Sequence, residues 1–166
     1  MEKGGFESHG LMRLTLGLSL GLLFGFWVTN FGLYFSRMSL RPRSVVAYYN
    51  GSEEEFRPPR STESMLETTH MHLPMMAVVL LLLTHLTIFV PLARRAKTAL
   101  IIGTFVSAAL QEGGGWLVRY ASPAFAPLKV VGFIGLQAGI LFLLATLAVF
   151  LANAARAQKA DSAKEE

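Results

Sequence analysis

Leu73–Leu92 reads LPMMAVVLLLLTHLTIFVPL, 20 residues without one Asp, Glu, Lys or Arg. A run this long and this apolar crosses roughly 30 Å of hydrocarbon as a single helix. Working outward, Arg94, Arg95 and Lys97 form a tight basic turn, and a second span follows at about 98–120. A third lies at about 128–153, and a fourth precedes them all at about 11–35. Between the first two spans in chain order lies a polar loop, 36–72, and after the last a tail, 154–166. The pattern predicts an all-α chain: an integral membrane four-helix transmembrane bundle forming one domain. Composition agrees. The mean hydropathy is +0.46 and charged residues are 16% of the chain, against roughly 25% in soluble domains.

The N-terminal run from Leu14 to Phe35 is too long for the apolar region of a secretory signal, and no A-x-A-like site follows it. The sequence reading is a retained helix. The 15 Lys and Arg are split among separate loops, which gives no nucleic-acid patch. The short turn at 94–97, with Arg156 and Lys159 in the tail, argues for cytoplasmic termini. Arg37, Arg41 and Arg43 argue against it. The expectation from charge is cytoplasmic termini.

Cysteine is absent. That excludes thiolate zinc sites, iron–sulfur clusters and covalent c-type haem, which needs C-x-x-C-H. It leaves open a non-covalent haem or a His/carboxylate metal site. Three of four histidines lie in or beside the Leu73–Leu92 run. Pro74 disfavours helix at Leu73 and suits a first helical turn. The residues before it are therefore expected to be extended, with His70 and His72 pointing together at one target. Such a pair can bind a metal, ligate haem, hydrogen-bond a quinone, or sit wet at the headgroup boundary. His85 lies ~20 Å further along a helix, out of reach of a haem held by His72. An interhelical hydrogen bond suits it better.

Glu112 is the one acid within a span, and a lone carboxylate there needs a partner or a proton. It belongs with Trp116 and Arg119 to the membrane half that holds His70 and His72. An acid, an aromatic, a base and imidazoles at one interface suit a quinol or haem-edge site. The alternative is that Trp116, Arg119 and Tyr120 form an interfacial belt. Gly17, Gly21 and Gly25 in the first span, and Gly132, Gly135 and Gly139 in the last, clear helix faces for close approach. They serve either packing within the bundle or a homodimer or partner-subunit contact. In the loop, Val45–Asn50 reads as a short extended stretch ending in an Asn-Gly turn.

Several segments, in order, resemble a little-characterised family of small four-helix bacterial membrane proteins, often mislabelled as elongation factors. Members occur among the redox proteins of bacteria rich in multihaem cytochromes. The resembling pieces are Asn30-Phe31-Gly32-Leu33-Tyr34-Phe35, Ala47-Tyr48-Tyr49-Asn50-Gly51 and Thr69-His70-Met71-His72-Leu73. Glu112 with Trp116, then Pro123-Ala124-Phe125-Ala126 and a glycine-bearing last helix, complete the series. Relatives can carry a c-type haem segment between Tyr-Tyr-Asn-Gly and His-x-His. The resemblance therefore implies a periplasmic loop 36–72 that here has lost its covalent haem.

The leading expectation is a membrane subunit associated with respiratory electron transfer, not an enzyme on its own. It would hold a b-type haem or quinol at His70, His72, Glu112, Trp116 and Arg119, with His70 and His72 as ligands to any metal. Its partners would be the lipid bilayer and redox-complex subunits or cytochromes. A non-catalytic anchor or assembly subunit is the second reading, and a metal or proton transporter the third.

Overall fold

A computed structural model describes residues 9–165, with side chains to residue 160. The chain is all-α. Its helices are α1 (Gly10–Phe35), α2 (Pro42–Asn50), α3 (Thr62–Thr87), α4 (Arg94–Tyr120) and α5 (Ala126–Glu165). A 3₁₀ turn, Pro123–Phe125, joins the last two.

Three of the long helices (α1, α3, and α5 with its leading turn) are apolar and long enough to cross a membrane. The fourth, α4, has 27 residues but carries basic residues at its start, then Gln111, Glu112, three glycines and Arg119. Those residues lower its hydropathy, and its partners supply the compensation. Large apolar side chains such as Leu11, Leu14, Leu18 and Leu22 face outward on α1, as a lipid-facing surface requires.

The seam between α4 and α5 is the most extensive helix contact among the described residues. Glycine makes it possible. A Cβ at Gly132 would run into the backbone of Leu110 and Gln111, and one at Gly114 would meet the backbone of Lys129 at 3.0 Å. Gly135 lies against Ser107 and Gly139 against Thr104. The last-span glycines are thus spent on packing within the chain. Those of the first span are not: a Cβ added at Gly17, Gly21 or Gly25 would meet nothing within 4 Å. The two glycine series, alike in sequence, do different things.

The four long helices do not close into a symmetrical bundle. Both α1 and α3 lean on α5 yet scarcely touch each other, which leaves a groove between them. One apolar cluster, centred on Leu80, Leu83, Leu143 and Leu147, fills the half nearer the α3–α4 turn. A second, with Tyr34, Val45, Tyr49, Met65, Val118 and Phe133, fills the end nearer α2. There the Tyr34 and Phe133 rings stack at 3.7 Å.

Two local expectations are corrected. The segment Val45–Asn50 is helical, not extended. Pro42 sits in the first turn of α2, and Val45 and Tyr49 are buried one turn apart on one face. That i, i+4 pattern outweighs the strand preference of Val-Val and Tyr-Tyr. Asn50-Gly51 ends this helix instead of turning a hairpin, with Gly51 at φ 86°. There a Cβ would also strike the Arg57 carbonyl. A small hairpin does follow, closed by paired backbone hydrogen bonds between Ser52 and Arg57, with Glu53, Glu54 and Glu55 exposed at its tip.

The second correction concerns α3, which starts at Thr62, well before Pro74. Ser61 caps it by accepting a hydrogen bond from the Ser64 amide at 3.2 Å, and the buried Met65 holds its first turns down. Pro74 lies inside the helix and deprives the His70 carbonyl of its donor. Membrane helices tolerate this. At the far end α5 runs on to Glu165, 40 residues in all. That is ~60 Å of helix, about twice the hydrocarbon thickness, and its final described side chains are exposed.

Candidate functional site

A helical α3 separates the two histidines of the His-x-His. Residues two apart on a helix diverge by about 200°. His72 faces α4 and lines the groove, while His70 is exposed on the other side. The two imidazoles therefore do not converge on one target, contrary to the expectation of an extended segment. His85 is exposed as well. It meets the Phe89 ring edge-on, in place of the expected interhelical hydrogen bond.

What His72 meets is Glu112. Its Nδ1 lies 3.4 Å from Glu112 Oε2. The other carboxylate oxygen accepts the Thr69 hydroxyl at 2.5 Å. Thr69 in turn accepts the Trp116 indole N–H at 2.9 Å. Because the indole can only donate, the single Thr69 proton is committed to Glu112. The result is a directed relay, Trp116 to Thr69 to Glu112, with His72 on the open side. The Glu112 side chain is 11% exposed and that of His72 41%. A half-open imidazole thus stands between a buried carboxylate and the outside.

Lys129, on the first turn of α5, is the residue the sequence reading missed. It is 5% exposed. Its amine donates to the Gln111 carbonyl, sits 5.8 Å from the centre of the Tyr49 ring, and is in electrostatic reach of Glu112. Tyr49 reaches this position because Gly115 has no side chain: its ring lies where a Cβ would be, Cζ at 2.5 Å. Burial, and secondarily Tyr48, pushes the Tyr49 phenol well above its usual range. It stays protonated and neutral against the lysine. Helix α2 is tied down on the same side, where Asn50 Nδ2 donates to the Val118 carbonyl at 3.2 Å.

Arg119 does not join the site. Its Nε donates to the Arg60 carbonyl at 3.1 Å, and its guanidinium lies 5.5 Å from the Tyr120 ring centre. It braces the start of α3 against the end of α4. Tyr120 is exposed and hydrogen-bonded to Thr62 at 2.6 Å. Of the five residues singled out from sequence, His72, Glu112 and Trp116 come together, and His70 and Arg119 point elsewhere.

These groups line a cavity of about 650 Å³, a size that takes a small organic molecule. It is polar at one end, where Arg60, Glu112, Lys129 and His72 lie. It is mostly apolar at the other, where Leu80, Leu136 and Ile140 lie with Gln137 among them. Its sides are the facing edges of α1 and α3, with Leu33 and Met75 partly exposed at its rims. An amphipathic molecule matches that polarity, head at the Glu112 end and tail along the α1–α3 gap. Among the described residues no three His, Asp or Glu side chains cluster as a metal site.

Fold and groove together define a multi-pass integral membrane protein with an amphipathic cavity inside the helical layer. Residues 39–159 match a family described as a transmembrane helical domain, and the chain belongs to that family. The match includes α2 to α5 up to residue 159, and with them every polar group of the relay. No curated protein and no solved structure matches the chain.

Proposed function

We propose that the groove binds a quinol, and that the protein is a membrane subunit associated with respiratory electron transfer. The observation that carries this reading is Glu112: a mostly buried carboxylate held by Thr69 and His72 at the polar end of an amphipathic slot. A carboxylate in a span costs several kcal/mol unless it is partnered or used. Here it is both held and reachable. A bound quinol would supply two protons and two electrons, the electrons passing to a haem-bearing partner subunit. Glu112 would accept the two hydroxyl protons in turn, His72 would carry each to the open side, and Trp116 would flank the ring. Loop 36–72 would face the periplasm, with termini cytoplasmic in a bacterial inner membrane.

Haem b fits less well. Two axial ligands come from opposite sides of the iron, and His70 and His72 cannot supply both. Among the described residues His72 is the one imidazole on the cavity wall; Met65, Met75 and Met76 lie on its own helix, and Met38, between α1 and α2, is the methionine that lines the cavity from elsewhere. A dithionite-reduced minus oxidised spectrum of protein expressed with haem available separates the two readings. A b-type band lost in His72→Ala would replace quinol by haem.

The direct test is titration of the full chain in lipid nanodiscs with a short-tailed quinol, read by tryptophan fluorescence. Saturable quenching is expected. Glu112→Gln should weaken it ten- to a hundredfold, as for a lost hydrogen bond to a charged group, while His70→Ala leaves it unchanged. Absence of saturable quenching in the wild type, or equal affinity in Glu112→Gln, sinks the proposal.

One observation favours a second reading, a non-catalytic anchor. The glycine face of α1 has no partner among the described residues. Under that reading Gly21→Leu releases a co-purifying subunit, and the variants at His72 and Glu112 do not.

A further inference from the structure

Gln137 lies deep in the groove and is 3% exposed. Its backbone carbonyl accepts the Trp27 indole at 2.9 Å, pinning α1 to α5 at this level. Its side-chain Oε1 is buried and has no hydrogen-bond partner among the described residues. Buried acceptors are nearly always satisfied, so an orphan of this kind asks for an occupant. The side chain lines the same cavity as Glu112. The glycine seam sets its depth: Gly132 abuts Gln111, and Gln137 is five residues further along α5, ~7.5 Å below that level. Val79, Leu80, Leu136 and Ile140 line the same cavity, as do Thr29 and Asn30 of α1.

Glu112 and Gln137 are thus two hydrogen-bonding groups on one slot, separated along the helix axes. A para-diol ring has that form: two hydroxyls at opposite edges and apolar faces. We infer that Gln137 accepts the distal hydroxyl of a ring whose proximal hydroxyl is held at Glu112, so that the site selects two-hydroxyl rings over one-hydroxyl rings. The inference rests on the quinol reading and adds ring orientation and specificity to it. The tail would leave through the gap between α1 and α3.

The experiment compares two probes under anaerobic conditions, a short-tailed para-naphthoquinol and the matching one-hydroxyl naphthol. Each is titrated into the full chain in nanodiscs, in the wild type, Gln137→Leu and Gln137→Met. The wild type should prefer the diol about tenfold, the worth of one hydrogen bond to a buried acceptor. Both variants should lose that preference while binding the one-hydroxyl probe as the wild type does, an outcome that a packing role alone would not give. Both should melt no lower than the wild type, because an unsatisfied acceptor has been removed. If the variants keep the tenfold preference, Gln137 is not the second group, and the Glu112 site stands without it. If the wild type binds neither probe, the quinol reading itself is overturned.

Discussion

Gly132→Val is expected to unseat α4 from α5 and cost about 3 kcal/mol of stability, the upper end for overpacking a tight contact. The reason is that backbone meets backbone. The added carbons would fall on the main chain at Leu110 and Gln111, which cannot swing aside as a flexible side chain would. The seam must open by more than a methyl group along its length. Opening it also displaces Gln111, whose carbonyl holds the Lys129 amine. The polar end of the groove should lose its ligand affinity together with the stability. Gly21→Leu is the control. It lies in an equally glycine-rich helix, but with open space around it, and should change intrachain stability by no more than ~0.5 kcal/mol. Unfolding in detergent titrated with SDS measures both. Equal stability of Gly132→Val and wild type would contradict the packing account.

Lys129→Met should cost about 2–3 kcal/mol, more than its volume change predicts, because removing one member of a buried charged pair leaves the other uncompensated. The substitution removes the donor from the Gln111 carbonyl and leaves Glu112 without the nearby positive charge that it feels. The two do not touch as an ion pair, which places the effect below the roughly 3–5 kcal/mol of a broken buried pair. Adding Glu112→Gln to Lys129→Met should recover part of the loss, with a coupling of about 1 kcal/mol in a double-mutant cycle. The same SDS titration reads all four proteins. Strict additivity would mean that the two charges are independent, and that the polar end is two sites and not one.

The membrane class is written in the apolar runs, because a hydrocarbon solvent constrains composition over ~20 residues at a time. Glu112 and Trp116 are legible for the same reason: an acid stands out in such a run, and Trp116 lies one helical turn from it. What escapes is whatever depends on rotation or register. His70 and His72 read as a pair because Pro74 argues for an extended segment. The Ser61 cap and the tolerance of lipid-embedded helices for proline decide otherwise, and helical rotation sends His70 outward. Lys129 carries little signal because a lysine near the end of a span ordinarily reaches for the interface. Only the register of Gly114 against Lys129 shows that α4 covers it. Thr69 carries no signal of its own. A hydroxyl becomes part of a relay only when a donor on one side and an acceptor on the other fix its proton. Gln137 is an uncharged residue in a long apolar run, and the unpartnered Oε1 sets it apart.

The fold class stands as all-α and transmembrane, but the bundle is not closed. Because α1 and α3 meet α5 and scarcely each other, the slot opens sideways, towards the acyl chains and not only towards water. A molecule entering this way never leaves the oily phase. Its effective concentration is then a mole fraction among lipids, a two-dimensional quantity. Occupancy follows the ratio of ligand to lipid and is indifferent to the volume of buffer around the membrane. Under the proposed function the protein would read the make-up of the bilayer itself, and a cell would fill or empty the slot by changing its pool of membrane-dissolved molecules, with no change in the surrounding aqueous phase.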